Sequence, residues 1–200
     1  AEQVVGSYKG LSRLEQAFRM MKSIDLKVRP IDKKNFREEV ELIRSLYNDC
    51  WHENWGFIPM DAEEFHHSAK DMKSMVDPGF LLIAEREGEP IGFCMTIPDF
   101  NQALQPLRGK LLPFGWLKFL LGKRKIDYAR TLLMGVLPEY RKLGVDMAMV
   151  YKTMLAGFAK GVTAAECSWI LADNEPMNRI LMGYGANMYK TYRIYEKAVR

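Results

Sequence analysis

The chain has 200 residues, of which 48% are apolar and 27% charged; this is the balance of a globular domain, not of a disordered or fibrous chain. Lys and Arg outnumber Asp and Glu by 29 to 25, and a net charge of +4 is too small to point to nucleic acid, although it suits acidic small molecules such as phosphorylated cofactors. No apolar run reaches ~18 residues, so no membrane-spanning helix is expected.

The chain opens at Ala1 without a signal-peptide pattern, which leaves processing, trimming or membership of a longer protein open. Leu11, Leu14, Phe18 and Met21 share a helical stripe, so residues 1–25 read as a leading helix or appendage to a domain over 26–200. Residues 26–30 read as a short strand limited by Pro30. Phe36, Val40, Ile43 and Tyr47 recur at helical steps, and Trp51 extends the stripe. The segment 51–60 is dense in aromatic and polar groups. Asp61, with Glu64 at the capping-box position, starts a second helix that runs towards Met75.

Residues 80–86 and 91–97 read as two strands joined by a short hairpin at Glu87-Gly88-Glu89. Residues 99–130 read as a long connector with an apolar middle at 111–121. Between Arg108 and Arg130 it carries seven basic residues and one acidic residue, Asp127. A third strand over 131–137 turns through 138–145 into a helix whose apolar face is Met147, Val150, Tyr151, Met154, Leu155 and Phe158. A further strand at 165–171, a helix opening at Pro176 and a final strand at 188–195 complete the series. The order predicts an α/β (α+β) domain with a mixed central sheet and helices on both faces.

Cys50, Cys94 and Cys167 are odd in number and widely spaced among apolar residues, which reads as buried free thiols in a reducing, cytoplasmic setting. His52, His66 and His67 lack a second cluster of ligands, so no metal site is expected.

The element most suited to chemistry is the strand–turn–helix over 132–158. Main-chain N–H groups at a helix start are unpaired and, with the helix dipole, favour an anion such as phosphate. Gly144 permits close approach of the backbone, and Arg141 and Lys142 add charge. The plainer alternative is a glycine that only makes the turn beside two solvated cations.

The run Val136-x-Pro138-Glu139-Tyr140-Arg141-x-x-Gly144, followed by an apolar-faced helix, resembles the acyl-coenzyme-A-binding motif of the GNAT superfamily of N-acyltransferases. Asn174 with its following helix, and Gly185 beyond it, resemble that family's closing segment. The upstream helix pair and the 80–97 hairpin sit where the family has them, so the resemblance spans about 26–197. It implies that the backbone of Met134, Gly135 and Val136 pairs with the pantetheine arm of acetyl-CoA or a longer acyl-CoA. It implies that Arg141, Lys142, Leu143, Gly144, Val145, Asp146 and Met147 hold the pyrophosphate, that Asn174 contacts the cofactor, and that the two central strands splay to admit the thioester. A backbone N–H near Val136 would stabilise the oxyanion.

Three departures stand out. Asp146 occupies a place where the family usually has Gly or Ala. The position of the usual tyrosine acid is Leu181, with Tyr184 one turn away. The position of the usual glutamate base is Trp169, and Glu166 falls on the opposite face of its strand. Direct aminolysis would then rely on another proton acceptor, for which His52, Glu53 and Asp99 are candidates.

The acceptor side falls to Trp51, His52, Glu53, Asn54, Trp55, Phe57 and Asp99, either as an aromatic wall with polar handles or as a rigid packed loop. Segment 111–125 reads as a lid on the core, as a contact with membrane or a fatty acyl chain, or as a protein contact, an oligomer included. The reading that leads is transfer of an acyl group, acetyl by default, from acyl-CoA to a primary amine of a small molecule or amino acid. The alternatives are long-chain N-acyl amino acid synthesis, a non-catalytic CoA-binding regulatory module, and a structural half of a larger enzyme.

Overall fold

The computed structural model describes residues 19, 25–54, 56–73 and 76–198. The leading helix expected over 11–21 and Trp55 of the expected acceptor loop lie outside the described residues. In chain order the elements are β1 (Leu26–Pro30), α1 (Phe36–Trp51), α2 (Ala62–Met72), β2 (Leu81–Arg86), β3 (Glu89–Pro98), α3 (Asn101–Leu104), α4 (Gly115–Lys123), β4 (Tyr128–Val136), α5 (Val145–Ala159), β5 (Ala164–Cys167) and α6 (Glu175–Gly183).

Local chemistry accounts for several boundaries. The Asp61 side chain accepts the Glu64 N–H at 2.8 Å and starts α2. Glu87 (φ 53°) and Gly88 (φ 88°) both take the left-handed conformation that a tight two-residue hairpin needs between β2 and β3.

The five strands form one sheet in the order β1-β2-β3-β4-β5. The first four pair antiparallel, and β5 pairs parallel to β4. Alternate residues serve opposite faces. On one face Leu82, Ala84, Ile91 and Cys94 pack against Val145, Ala148 and Met149 of α5. On the other, Leu81, Ile83 and Phe93 pack against Ile43 and Leu46 of α1. The mixed sheet between helices is thus as expected.

Five expectations need correction. The face of α5 that meets the sheet is Val145, Ala148 and Met149, while Met154, Leu155 and Phe158 of the expected face are exposed. The connector over 99–130 is half helical, through α3, a 3₁₀ turn at Gln105–Leu107 and α4, and its last three residues already belong to β4. The strand expected at 165–171 ends at Cys167. The strand expected at 188–195 does not form: β5, the edge it would join, is four residues long, and Tyr189, Ile194 and Tyr195 are exposed. Cys50 and Cys94 are buried as expected, but Cys167 is exposed. Among the described residues no helix is long and apolar enough to cross a membrane.

One close approach joins α1 to the centre of the sheet. A Cβ built on Gly135 would lie 2.6 Å from Trp51 Cζ3 and 2.9 Å from Cys50 Cβ. Both neighbours are held, because Trp51 stacks on Tyr47 at 5.1 Å and lies 5.6 Å from Phe93. Gly135→Ala should therefore lower stability by about 1–3 kcal/mol, read as a shifted midpoint in chemical denaturation; an unchanged midpoint would show that α1 can shift freely on the sheet.

Candidate functional site

The β4–β5 ladder has four pairs, from Tyr128↔Ala164 to Thr131↔Cys167. One more contact, the Ser168 N–H donating to the Thr131 carbonyl at 3.4 Å, closes it. From residue 132 onwards the outer edge of β4 has no strand beside it among the described residues. The inner edge stays paired with β3 up to Gly92↔Val136, across a bulge between Met95 and Thr96. The Leu137 N–H donates to the Ile91 carbonyl, on the β3 side. The two-residue alternation of a strand then directs the N–H groups of Met134 and Val136 away from β3, to the open edge.

The chain leaves this edge through Leu137 and the 3₁₀ turn Pro138–Tyr140 and enters α5. Lys142 (φ 73°) and Gly144 (φ 74°) are both left-handed, and Gly144 is the N-cap residue with no side-chain cap of its own. The N–H of Arg141 is taken by Pro138, that of Leu143 by Tyr140 and that of Ala148 by Gly144. Those of Lys142, Gly144 and Val145 have no acceptor among the described residues. The result is a short cradle of backbone donors at the positive end of a 15-residue helix, next to the open strand edge.

The side chains there divide into anchors and cations. Val145 is fully buried and Leu143 packs on the same cluster, so these two anchor the turn to the core. Met134 and Val136 pack against that cluster too, under α5. The Arg141 guanidinium donates to the Val136 carbonyl at 3.2 Å and to the Cys50 carbonyl at 3.0 Å. It links the turn to the end of α1 and does not stand free as a cation. Lys142 is exposed and makes no ion pair among the described residues.

Asp146, the unusual residue, accepts the Met147 N–H at 2.8 Å. Its carboxylate thus caps its own helix. Burial raises its pKa, and the hydrogen bond from the Met147 N–H offsets that in part.

The end of α1 carries the remaining candidates. His52 Nδ1 lies 2.8 Å from the Asp49 carbonyl. A carbonyl can only accept, so in the neutral ring the proton sits on Nδ1 and the Nε2 lone pair is open. Glu53 Oε1 is 3.8 Å from that Nε2, and both side chains are exposed. Because Arg141 bridges Cys50 and Val136, this end of α1 lies at the same end of the sheet as the open edge. Trp51 belongs to the core through Tyr47 and Phe93. The Asn54 backbone accepts the Phe57 N–H and so helps close a turn. The loop beyond is held by Asn48, whose side chain exchanges two hydrogen bonds with the Met60 backbone at 3.4 and 3.3 Å. The sequence offered no signal for Asn48 beyond its place on the polar side of α1.

Asp99 is not part of this group. Its N–H donates to the Tyr128 carbonyl at the opposite end of β4, roughly 25 Å along the strand from Val136, and its carboxylate accepts the Asn101 N–H. Asn174 caps α6 by accepting the Met177 N–H at 3.3 Å. Glu166 is ion-paired with Arg130 at 2.6 Å. Burial alone would raise its pKa, but hydrogen bonds from Tyr189 and Arg130 outweigh that and hold the carboxyl below the ordinary glutamate range. A carboxylate so engaged is a poor base. Burial pushes the Cys50 thiol up to about 12 and Cys94 to about 11, so neither is a nucleophile at neutral pH.

Residues 40–184 match the Acetyltransferase (GNAT) family. The chain belongs to that family. Over 179 residues this GNAT protein is 38% identical to Protein YghO of Escherichia coli (strain K12), covering 86% of this chain and 46% of that protein. It is 35% identical over 178 residues to the bacterial ceramide synthase of Caulobacter vibrioides, again covering 86% and 46%. The chain thus spans about half the length of the curated relatives it matches. Among solved structures it resembles an aminoglycoside acetyltransferase from an uncultured soil metagenomic sample in complex with sisomicin, with a TM-score of 0.58, 14% identity, and 89% of this chain and 99% of that one covered. It also resembles AAC(6')-Iy in complex with a CoA-linked bisubstrate analogue, with a TM-score of 0.56, 15% identity, and 87% and 99% covered. At such identities these two establish the fold alone.

Burial of Asp146 has a consequence for stability. A carboxyl whose pKa is raised by folding costs stability while it is ionised, and the cost disappears as pH falls through its folded-state pKa. Asp146→Asn keeps an acceptor for the Met147 N–H and should raise the Tm at neutral pH, with the gain shrinking on acidification. A gain that grows in acid would contradict this account of the carboxylate.

Proposed function

We propose that this GNAT domain transfers an acyl group from acyl-CoA to a primary amine by direct aminolysis. The observation that carries the reading is the open edge of β4 beside the unpaired amides that start α5. Acyl-CoA supplies an activated thioester carbonyl and a pyrophosphate. The donor set suits both. The N–H groups of Met134 and Val136 are free to extend a backbone-like pantetheine arm, as an added strand would be held. The amides of Lys142, Gly144 and Val145, with the Lys142 ammonium, suit the phosphates. Asp146 takes the Met147 amide for itself, so the cradle is shorter than the family pattern implies.

On the acceptor side, His52 is the proton acceptor in this reading, through Nε2. Its ring is oriented by the Asp49 carbonyl, with Glu53 placed to stabilise the imidazolium that forms.

A long-chain acyl group rather than acetyl is favoured by the relative named a ceramide synthase, since a ceramide is the amide of a fatty acid and a long-chain amine. The test is calorimetric titration with acetyl-CoA and with a long-chain acyl-CoA, followed by assay of thiol release with primary amines of differing apolarity. Binding with sustained thiol release supports the reading. Binding without release on any amine favours a non-catalytic CoA-binding module, and absence of binding heat for every donor rejects both.

His52→Ala should lower kcat by about 10²–10⁴-fold while leaving acyl-CoA affinity unchanged. An equal loss in donor affinity would place His52 in binding instead. Lys142→Gln should weaken donor binding several-fold at low salt and less at high salt, as expected for an exposed cation next to phosphate.

A further inference from the structure

Helix α4 is docked on α3 through a single face. Phe119 lies against Phe100 with ring centroids 6.5 Å apart, and Lys123 Nζ sits 5.4 Å from the Phe100 ring. Gly122 approaches Ala103 so closely that a Cβ on it would lie 3.3 Å from the alanine Cβ. The opposite face and the preceding loop stand open. Leu112 is 82% exposed, Phe114 66% and Trp116 51%, and Leu117, Leu120 and Leu121 are exposed beside them. The Trp116 indole N–H donates to the Pro113 carbonyl at 3.1 Å, which holds the ring on the outside. A lid closed on the core would bury these side chains, and the described residues leave them uncovered.

Charge follows the same surface. Residues 110–125 contain Lys110, Lys118, Lys123, Arg124 and Lys125 and no acidic residue. None of the five forms an ion pair among the described residues. Exposed apolar patches of this kind mark an interaction surface, and the charge indicates what it fits. A second copy of the chain meeting this face symmetrically would set Lys110, Lys118, Arg124 and Lys125 against their own counterparts. A fatty acyl chain alone would cover the apolar groups and leave the cations unanswered.

We propose that loop 110–114 and α4 dock on an anionic lipid surface, with Leu112, Phe114, Trp116 and Leu120 entering the boundary below the headgroups and the lysines meeting lipid phosphates. Apolar insertion and basic attraction together supply the two signals that stable peripheral binding takes. The inference does not depend on the acyl donor, and its test contains none.

The experiment is co-sedimentation of the chain with vesicles of phosphatidylglycerol and phosphatidylcholine, beside vesicles of phosphatidylcholine alone. Binding to the anionic vesicles, weakened by salt, is expected. Trp116→Ser with Leu120→Ser should lower it by at least ~tenfold. Lys118→Gln with Arg124→Gln and Lys125→Gln should do the same by at least ~tenfold. All five side chains are exposed, and an unchanged Tm for each variant confirms that the fold persists. No partition into either vesicle overturns the proposal. So does equal binding to both vesicle types that the lysine and arginine changes leave intact, and so does a concentration-dependent dimer dispersed by Trp116→Ser with Leu120→Ser, which would identify a second copy as the occupant.

Discussion

A parallel pair of strands that stops after four residues leaves the rest of the longer strand with unanswered hydrogen-bonding groups. Here β5 leaves β4 after Cys167, while β4 continues to Val136 against β3. The strand is thus half interior and half edge. Exposed edges are usually paired, covered or blunted by charge, because they invite another strand. This one is flanked by the start of a helix, a ready anion site, so a ligand combining an extended amide arm with phosphates meets both requirements at once.

The surrounding structure keeps that arrangement rigid. Gly135 lets Trp51 and Cys50 come within contact of the strand, so the end of α1 is fixed against β4. Arg141 then connects the Cys50 and Val136 carbonyls, joining α1, β4 and the turn before α5 through one guanidinium. Such bonds from a charged donor are stronger than neutral ones. The same tie sets His52 near the end of the strand. Asp146 shows the compromise at the helix start, where a half-buried carboxylate gains one amide at the cost of desolvation.

Much of the fold was legible because it rests on periodicity and punctuation. The stripe of α1, the Asp61 cap and the Glu87-Gly88 turn each depend on residues close in sequence, and each forms as expected; α5 forms too, but it turns Val145, Ala148 and Met149 to the sheet and leaves Met154, Leu155 and Phe158 of the expected face exposed. What failed depends on distant partners. Residues 188–195 read as a strand, but a strand exists only where a neighbour offers a ladder, and β5 is too short to offer one. Asp99 joins His52 in the sequence reading only as the start of the connector expected to shape the acceptor side, and the topology sends it to the other end of β4. The charge of Arg141 was plain from sequence, but its carbonyl partners come from α1 and from the strand end and could not be. The connector's middle, residues 111–121, is apolar with little polar spacing, so no helical stripe stands out in the sequence, and the same composition leaves α4 exposed once one side is docked.

The claim on which the account rests is that the outer edge of β4 beyond Thr131 receives the donor. Residue-resolved amide hydrogen exchange, with and without saturating CoA, tests it most directly. The amides of Met134 and Val136 should exchange readily in the free protein and slow when CoA is added, while the amides of Tyr128–Thr131 change little because that segment is already paired on both sides. Saturation with CoA that leaves Met134 and Val136 unprotected would contradict the account and place the donor elsewhere.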